Sequence, residues 1–99
     1  MAQNINIAIT DNVGKVEKEI EGNFAPIMDI ANKQGEAKLP WVTAIDEYGN
    51  TYINRTQAPN VIRELELLEV PTKSQQCLND VINALKNIEP HTLIAFYGD

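Results

Sequence analysis

The fold of this protein is set by the stretch Asn4-Ile5-Asn6-Ile7-Ala8-Ile9-Thr10, near the start of the chain. Its isoleucines alternate with small or polar residues, and a period of two is typical of a strand that buries one face. The chain closes on a second apolar run, from His91 to Tyr97, which is apolar on both faces and so predicts an interior strand. We expect these two strands to lie side by side in the middle of a sheet.

Three segments carry apolar residues at helical spacing and predict helices at about 23–33, 57–69 and 73–88. Pro26 and Pro59 fall in first turns, where proline is tolerated. Gly35 and Pro71 are stop signals for the first two helices. The pattern Thr72-x-x-Gln75 predicts a capping box at the start of the third helix.

The remaining segments predict short strands. Residues 41–45 predict a strand, 46–50 a turn and 51–54 a return strand, which together form a hairpin. Residues 13–21 fit either a helical stripe or a second strand, and we favour the strand. The expected architecture is one α+β domain over residues 1–99, with two layers, a sheet of three to five strands and about three helices.

The composition is acidic, with a formal net charge of −6. Such a surface repels phosphate backbones and anionic lipids, so we expect no nucleic acid or membrane partner, and a protein partner that is basic. The alternative is that the charge serves solubility alone. The single cysteine excludes an internal disulfide, residues 1–4 lack signal-peptide features, and no apolar run reaches 18 residues, so we expect a cytoplasmic protein.

No sequence motif indicates catalysis, and we expect neither a catalytic residue nor a cofactor. His91 is the only histidine, and a lone histidine cannot assemble a usual zinc site, so no metal is expected. Cys77 lies on the apolar stripe of its predicted helix, which favours a buried, unreactive thiol.

The segment from Asp46 to Gln57 is the densest group of polar residues. In one interpretation it is a recognition surface. In the other, which we favour, Asp46 and Asn50 bond to the backbone of the turn and Gly49 supplies a positive φ. In that interpretation Asn54 or Thr56 also caps the next helix, and Arg55 pairs with a carboxylate such as Asp46 or Asp99.

Two further groups of carboxylates fit solvated faces. Glu17, Glu19 and Glu21 alternate with lysines, while Glu64 and Glu66 lie opposite the leucines of the second helix. The second group, with Asp80 on the next helix, could also dock a basic partner. Among the aromatic residues, Trp41 is predicted to lie in the core. Tyr48 and Tyr52 fit either packing or interface anchors.

Part of the chain resembles a known group of proteins. The residues are Pro40-Trp41, Ile45-Asp46, Tyr48-Gly49, Thr51, Asn54-Arg55 and Gln57, with a closing Phe96-x-Gly98-Asp99. This pattern is similar to a family of small uncharacterised bacterial proteins with the core P-[WL]-x4-D-x-Y-G-x-T-x-x-N-R-x-Q and a C-terminal F-x-G-D. The match spans roughly residues 40–58 and 91–99. Some members look like immunity or antitoxin-type proteins, so the resemblance implies binding to another protein.

Three functions follow as hypotheses. The first is a protein-binding module, an immunity or inhibitor-type protein that neutralises a basic partner toxin and is not an enzyme; a homodimer through the sheet edge is a variant. Its expected contact residues are Asp46, Glu47, Tyr48, Asn50, Arg55, Glu64, Glu66 and Asp80. The second is a small ligand-binding protein or enzyme that uses Asp46, Arg55 and His91 around a pocket, where Arg55 would clamp an anion. The third is a structural component of a larger assembly.

Overall fold

The computed structural model describes residues 3–99 as four strands and three helices. In chain order they are β1 (Ile5–Asp11), β2 (Val16–Ile20), α1 (Ala25–Gln34), β3 (Asn50–Ile53), α2 (Ala58–Leu65), α3 (Thr72–Lys86) and β4 (Thr92–Gly98). Met1 and Ala2 lie outside the described residues, so the expectation drawn from residues 1–4 concerns in part a segment that the structure does not describe. The predicted α+β class, strand number and helix number are confirmed.

The sheet is antiparallel throughout, in the order β2-β1-β4-β3. The first and last strands are therefore neighbours in the middle of the sheet, as predicted, and they pair from Ile5 opposite Gly98 to Asp11 opposite Thr92. The ambiguous segment 13–21 contains the strand that we favoured, and its pairing with β1 shifts register between Ile9 and Thr10. That shift is a bulge in an edge strand, a device that discourages pairing with a further strand.

One face of the sheet packs against all three helices. The alternating isoleucines of β1 point to this face, and Ile94 and Phe96 of β4 lie beside them. The rings of Phe24, which precedes α1, and Phe96 have centroids 4.9 Å apart, and both residues are fully buried. Burial of each large apolar side chain of this core contributes about 1.5–3 kcal/mol, which is why period-two and helical patterns specify the two layers.

No helix formed by residues 3–99 covers the other face of the sheet, and we call it the open face. Its side chains alternate with those of the core face, and they are Asn6, Ala8, Thr10, Val16, Glu19, Asn50, Tyr52, Leu93, Ala95 and Tyr97. The small residues Ala8, Thr10 and Ala95 are buried between larger neighbours, whereas Val16 is 45% and Tyr52 38% exposed. The last strand is thus central but covered on one side only, which corrects the prediction that it is interior on both.

The helix ends follow local signals in part. Pro26 lies in the first turn of α1, and Gly35 follows its end with a φ of 94° and donates to Ala31 O at 3.1 Å. The second helix ends at Leu65 instead of near 69, and tighter turns continue the chain. The capping box predicted for α3 does not form, because Thr72 lies inside the helix and makes no cap hydrogen bond. No helix within residues 3–99 is long and apolar enough to cross a membrane.

The strand predicted at 41–45 is wrong, and so is its hairpin. Residues 36–44 form a series of turns, in which Thr43 N donates to Leu39 O at 2.9 Å and Ile45 N donates to Val42 O at 3.1 Å. The buried residues of this segment are Leu39, Val42 and Ile45, which recur every third position instead of every second. Strand β3 pairs instead with β4.

Candidate functional site

The loop from Asp46 to Gly49 is held by its own side chains. Tyr48 N donates to Asp46 Oδ1 at 2.9 Å, and Asp46 N donates to Thr51 Oγ1 at 2.9 Å. This is the local Asx-turn bonding that the structural interpretation expected of Asp46. Gly49 does not adopt a positive φ, which corrects that part of the prediction. A Cβ at Gly49 would lie 2.5 Å from Asp46 Oδ2, so a larger residue there would have to displace the Asp46 carboxylate.

The same loop packs on the end of the last strand. Gly98 N donates to Gly49 O at 2.8 Å, and a Cβ on Gly98 would collide with the backbone of Glu47. Because backbone approaches backbone here, no side chain can be accommodated at position 98. The two separate pieces of the sequence pattern, around residues 46–49 and 98–99, therefore meet in space.

The residues that lead into α2 bond to each other. Gln57 N donates to Asn54 Oδ1 at 2.9 Å, and Asn54 N donates to Gln57 Oε1 at 3.0 Å. This reciprocal pair has the form of a capping box and closes the turn before the helix. Asn54 thus caps the turn before α2, whereas the N-cap of the helix itself is Gln57 and makes no side-chain cap hydrogen bond, so the prediction that Asn54 or Thr56 caps the helix is wrong.

Arg55 lies between these two residues and behaves differently. It is exposed, and it makes no ion pair or hydrogen bond with any residue from 3 to 99. The predicted pairing with Asp46 or Asp99 is wrong. Asp99 Oδ1 instead accepts hydrogen bonds from Gln3 N and Asn4 N, both at 3.2 Å, so the end of the chain is tied to its beginning.

The carboxylates predicted on the second and third helices separate into two environments. Glu64 is only 5% exposed, and it accepts from Trp41 N at 2.9 Å and from Val42 N at 2.8 Å. It cannot contact a partner, which corrects its assignment to the binding surface. Glu66 pairs with Lys86 at 3.4 Å and Asp80 accepts from Gln76 at 2.8 Å. Glu66 and Asp80 line a groove of about 540 Å³ between α2 and α3.

Two residues expected to be buried have different outcomes. Trp41 is 38% exposed, which corrects its assignment to the core; the turn at 40–44 buries its neighbour Val42 instead. Cys77 is 7% exposed, as predicted. Burial raises the pKa of its thiol, and the charge of Asp80 raises it further. Both effects disfavour the thiolate, the reactive form of a cysteine.

The three residues of the ligand-binding hypothesis do not come together. His91 is exposed in the turn before β4, with a φ of 68°, while the Asp46 loop packs at the opposite end of that strand. Seven residues of strand at about 3.3 Å each separate the two ends by about 20 Å. Arg55 lines a hollow against Pro59 and Ile62 of α2. Within residues 3–99, no group of three His, Cys, Asp or Glu residues is placed to hold a metal ion.

Tyrosines occupy the open face at its β3–β4 side. The rings of Tyr52 and Tyr97 have centroids 6.1 Å apart and stand nearly perpendicular, at 87°. Burial raises the pKa of the Tyr97 phenol, and a hydrogen bond to Tyr52 and the charge of Tyr52 add to the effect. Asn50 lies opposite Tyr97 in the sheet and connects this pair to the Asp46 loop. Sequence reasoning missed Tyr97, although its position two residues after Ala95 marks it as facing away from Phe96.

Beside the tyrosines, the open face sinks into a trough of about 650 Å³ between β1, β2 and β4. Ala8 forms its floor, opposite Glu19 on one side and Ala95 on the other. The remaining side chains that bound it include Asn6, Val16, Glu21 and Tyr97, and no lysine or arginine contributes. Glu19 and Glu21 are exposed, and their carboxylates make no hydrogen bond or ion pair with residues 3–99. The sequence pattern predicts a solvated face for these glutamates.

Of the eight expected contact residues, only Asn50 lies on the open face, opposite Tyr97. The loop that contains Asp46, Glu47 and Tyr48 packs on the end of β4 from the core side, because the Cβ direction of Gly98 that Glu47 blocks is the one shared with the buried Ile5. Arg55, Glu66 and Asp80 lie with the helices, on the other layer, and Glu64 is buried. No protein-family model, curated protein or solved structure matches this chain. The family resemblance of residues 40–58 and 91–99 thus stays a prediction from the sequence.

Proposed function

We propose that this protein is a protein-binding module of the immunity or inhibitor type, which neutralises a basic partner toxin by binding to it. The observation that carries the proposal is the open face of the sheet. One whole face of a four-stranded sheet lacks a covering layer, and it presents an aromatic pair, Tyr52 and Tyr97, beside small buried residues.

Such a face suits a protein contact. Tyrosine supplies a large, stiff contact area with one polar atom, and tyrosines are enriched among the residues that dominate binding energies. The alanines between them, Ala8 and Ala95, leave a shallow floor into which side chains of a partner can pack. Among the predicted contact residues, Asn50 shares the open face with the tyrosines. In this proposal the loop before it, with Asp46, Glu47 and Tyr48, extends the contact at that end of the sheet.

The charge of the chain supports a basic partner. The chain has fourteen acidic and eight basic residues, and the only salt bridge among residues 3–99 joins Lys86 to Glu66. Most carboxylates are therefore available to attract a cationic surface, which speeds encounter and favours basic partners over acidic ones. The neutralising role comes from the resemblance to immunity-like proteins. The ligand-binding alternative lacks support, since Asp46, Arg55 and His91 are apart.

A genetic test addresses this function directly, because immunity proteins are usually encoded beside their toxin. We expect deletion of this gene alone to arrest growth, and deletion together with the adjacent toxin gene to restore it. The purified chain should also bind the product of that adjacent gene at one-to-one stoichiometry in calorimetry, with affinity that falls as salt rises. Normal growth of the single deletion in every growth phase, with no binding to either neighbour's product, would contradict the proposal.

A further inference from the structure

We propose that the trough on the open face is the receptor for an arginine side chain of the basic partner. This inference rests on the proposed function and names the chemistry that the surface recognises. Its basis is the combination of an uncovered sheet face, two carboxylates that make no ion pair or hydrogen bond with residues 3–99, and an aromatic ring, all around one small floor residue, Ala8.

The charges around the trough select a cation. Glu19, in β2, and Glu21, just after it, both border the trough. Lys18, which precedes Glu19, pairs with Ile9 and so faces the other side of the sheet. No cationic side chain borders the trough. A positive group of the partner would therefore balance the two carboxylates, and it would not have to displace an existing salt bridge.

The shape of the trough favours arginine over lysine. Tyr97 stands on β4 between Tyr52 and the trough, so the side of its ring away from Tyr52 borders the cavity. A guanidinium is planar and can stack on an aromatic ring while its N–H groups bond to carboxylates. An ammonium is a more strongly hydrated point charge and cannot do both as well. The Asn6 amide adds a hydrogen-bonding group at the rim.

Other occupants and other sites fit less well. A second copy of this chain would bring a further net charge of −6 to the same face, so like charges oppose a homodimer there. The groove between α2 and α3 is less suited to a cation, because Glu66 already pairs with Lys86 and Asp80 already accepts from Gln76. In the trough, by contrast, the carboxylates of Glu19 and Glu21 make no hydrogen bond or ion pair with residues 3–99.

The test uses blocked peptides as probes, titrated into the isotope-labelled chain and followed by amide NMR spectra. The probes are acetyl-Ala-Arg-Ala-amide, its lysine analogue and its citrulline analogue, which keeps the shape of arginine without the charge. We expect the arginine peptide to shift the amides of Ala8, Glu19 and Tyr97, the lysine peptide to bind at least threefold more weakly, and the citrulline peptide not to bind.

Matched variants remove one exposed carboxylate each. E19Q should weaken the arginine peptide at least threefold, and E66Q, on the helical layer, should leave its affinity unchanged; an unaltered amide spectrum elsewhere verifies that each variant folds. Shifts confined to the helical layer, shifts spread evenly over all carboxylates, or equal losses in E19Q and E66Q would overturn the inference.

Binding of variants of this chain to the toxin identified by the deletion test distinguishes failure of this inference from failure of the proposed function. We expect E19K to weaken toxin binding at least tenfold and E66K to change it less than threefold. Loss of toxin binding in E66K but not in E19K would leave the neutralising function intact and overturn the arginine site. If the arginine peptide binds at the trough but no toxin partner exists, the neutralising function would be contradicted, whereas the preference of the trough for a guanidinium would be supported.

Discussion

The carboxylate of Glu64 accepts a hydrogen bond from the backbone of Val42 at 2.8 Å, although Glu64 is only 5% exposed. Through this contact and a second one, with Trp41 N at 2.9 Å, α2 holds the turn that leads to β3. The buried charge thus acts as a cap for backbone N–H groups that would otherwise lack partners. Glu64 is therefore a structural residue, although Arg63 before it and Glu66 after it on the same segment are exposed.

Replacement of Glu64 should therefore lower stability far more than replacement of its exposed neighbour. E64A leaves two backbone N–H groups without an acceptor, and we expect a loss of about 2–3 kcal/mol in the free energy of unfolding. E64Q keeps one acceptor oxygen and should cost less. E66Q breaks only an exposed pair and should change stability by less than about 0.5 kcal/mol. Urea denaturation measures all three, and equal effects of E64A and E66Q would refute the capping role.

Replacement of Gly98 and replacement of Gly49 by alanine should lower stability by different amounts. A Cβ at Gly98 meets the backbone of Glu47, which cannot move alone, so G98A should cost about 1–3 kcal/mol or more. A Cβ at Gly49 meets the carboxylate of Asp46, which can rotate away at the expense of its bond to Tyr48 N. G49A should therefore cost less than G98A. Thermal unfolding of the two variants tests the order, and a reversed order would contradict the packing.

Arg55 and Asp46 give a second contrast. R55A removes a side chain without ion pairs or hydrogen bonds to residues 3–99, so we expect stability to change by less than about 0.5 kcal/mol. D46A removes the acceptor of Tyr48 N and should cost about 0.5–1.5 kcal/mol. Denaturant midpoints measured side by side decide the matter; a loss on R55A as large as that on D46A would mean that Arg55 has a structural partner.

Asn54 and Gln57 should be energetically coupled, because each side chain accepts from the other's backbone N–H. N54A alone should destabilise by about 1 kcal/mol, the usual cost of losing a cap. Q57A should cost somewhat less, and the double variant should cost less than the sum of the two single losses. A double-mutant cycle in urea gives the coupling energy; strict additivity would show that the two bonds do not cooperate.

Cys77 should make the protein less stable in alkali. Its folded pKa is raised, so the unfolded chain loses the thiol proton first as pH rises. The contribution to stability is fully present below the ordinary thiol pKa, about 8.5, and is lost as pH climbs through the folded value. We expect the denaturation midpoint of the wild type to fall more steeply between pH 8 and 10 than that of C77A. Parallel pH curves for the two proteins would count against the raised pKa.

Much of the fold could be predicted because its signals are local. The alternation at Ile5, Ile7 and Ile9 sets which side of β1 is buried. The apolar residues at helical spacing in α2 and α3 set which side of each helix is buried. The segment at 41–45 could not be predicted in this way. Its apolar residues suit a strand, and the turn found there depends on Glu64, which is distant in sequence. The spacing of Leu39, Val42 and Ile45 was the one available hint.

The candidate site was predicted only in part, for a related reason. Asp46 and Asn50 stood out as polar residues in a turn, and the structure puts Asn50 on the open face and Asp46 in the loop that precedes it. The trough depends on strand register, which sets Ala8 opposite both Glu19 and Ala95. Register across distant strands is chosen by the packing of whole faces, and no short window of sequence contains it.

By itself the sequence determined the α+β class, the central pairing of the first and last strands and an excess of negative charge. Only the tertiary structure decided which carboxylates face water. Glu64 and Glu66 are two positions apart on the same chain segment, yet one is buried and the other is exposed. The physical reason is that a charge can leave water only where another segment supplies donors for it, and here those donors come from the backbone of Trp41 and Val42.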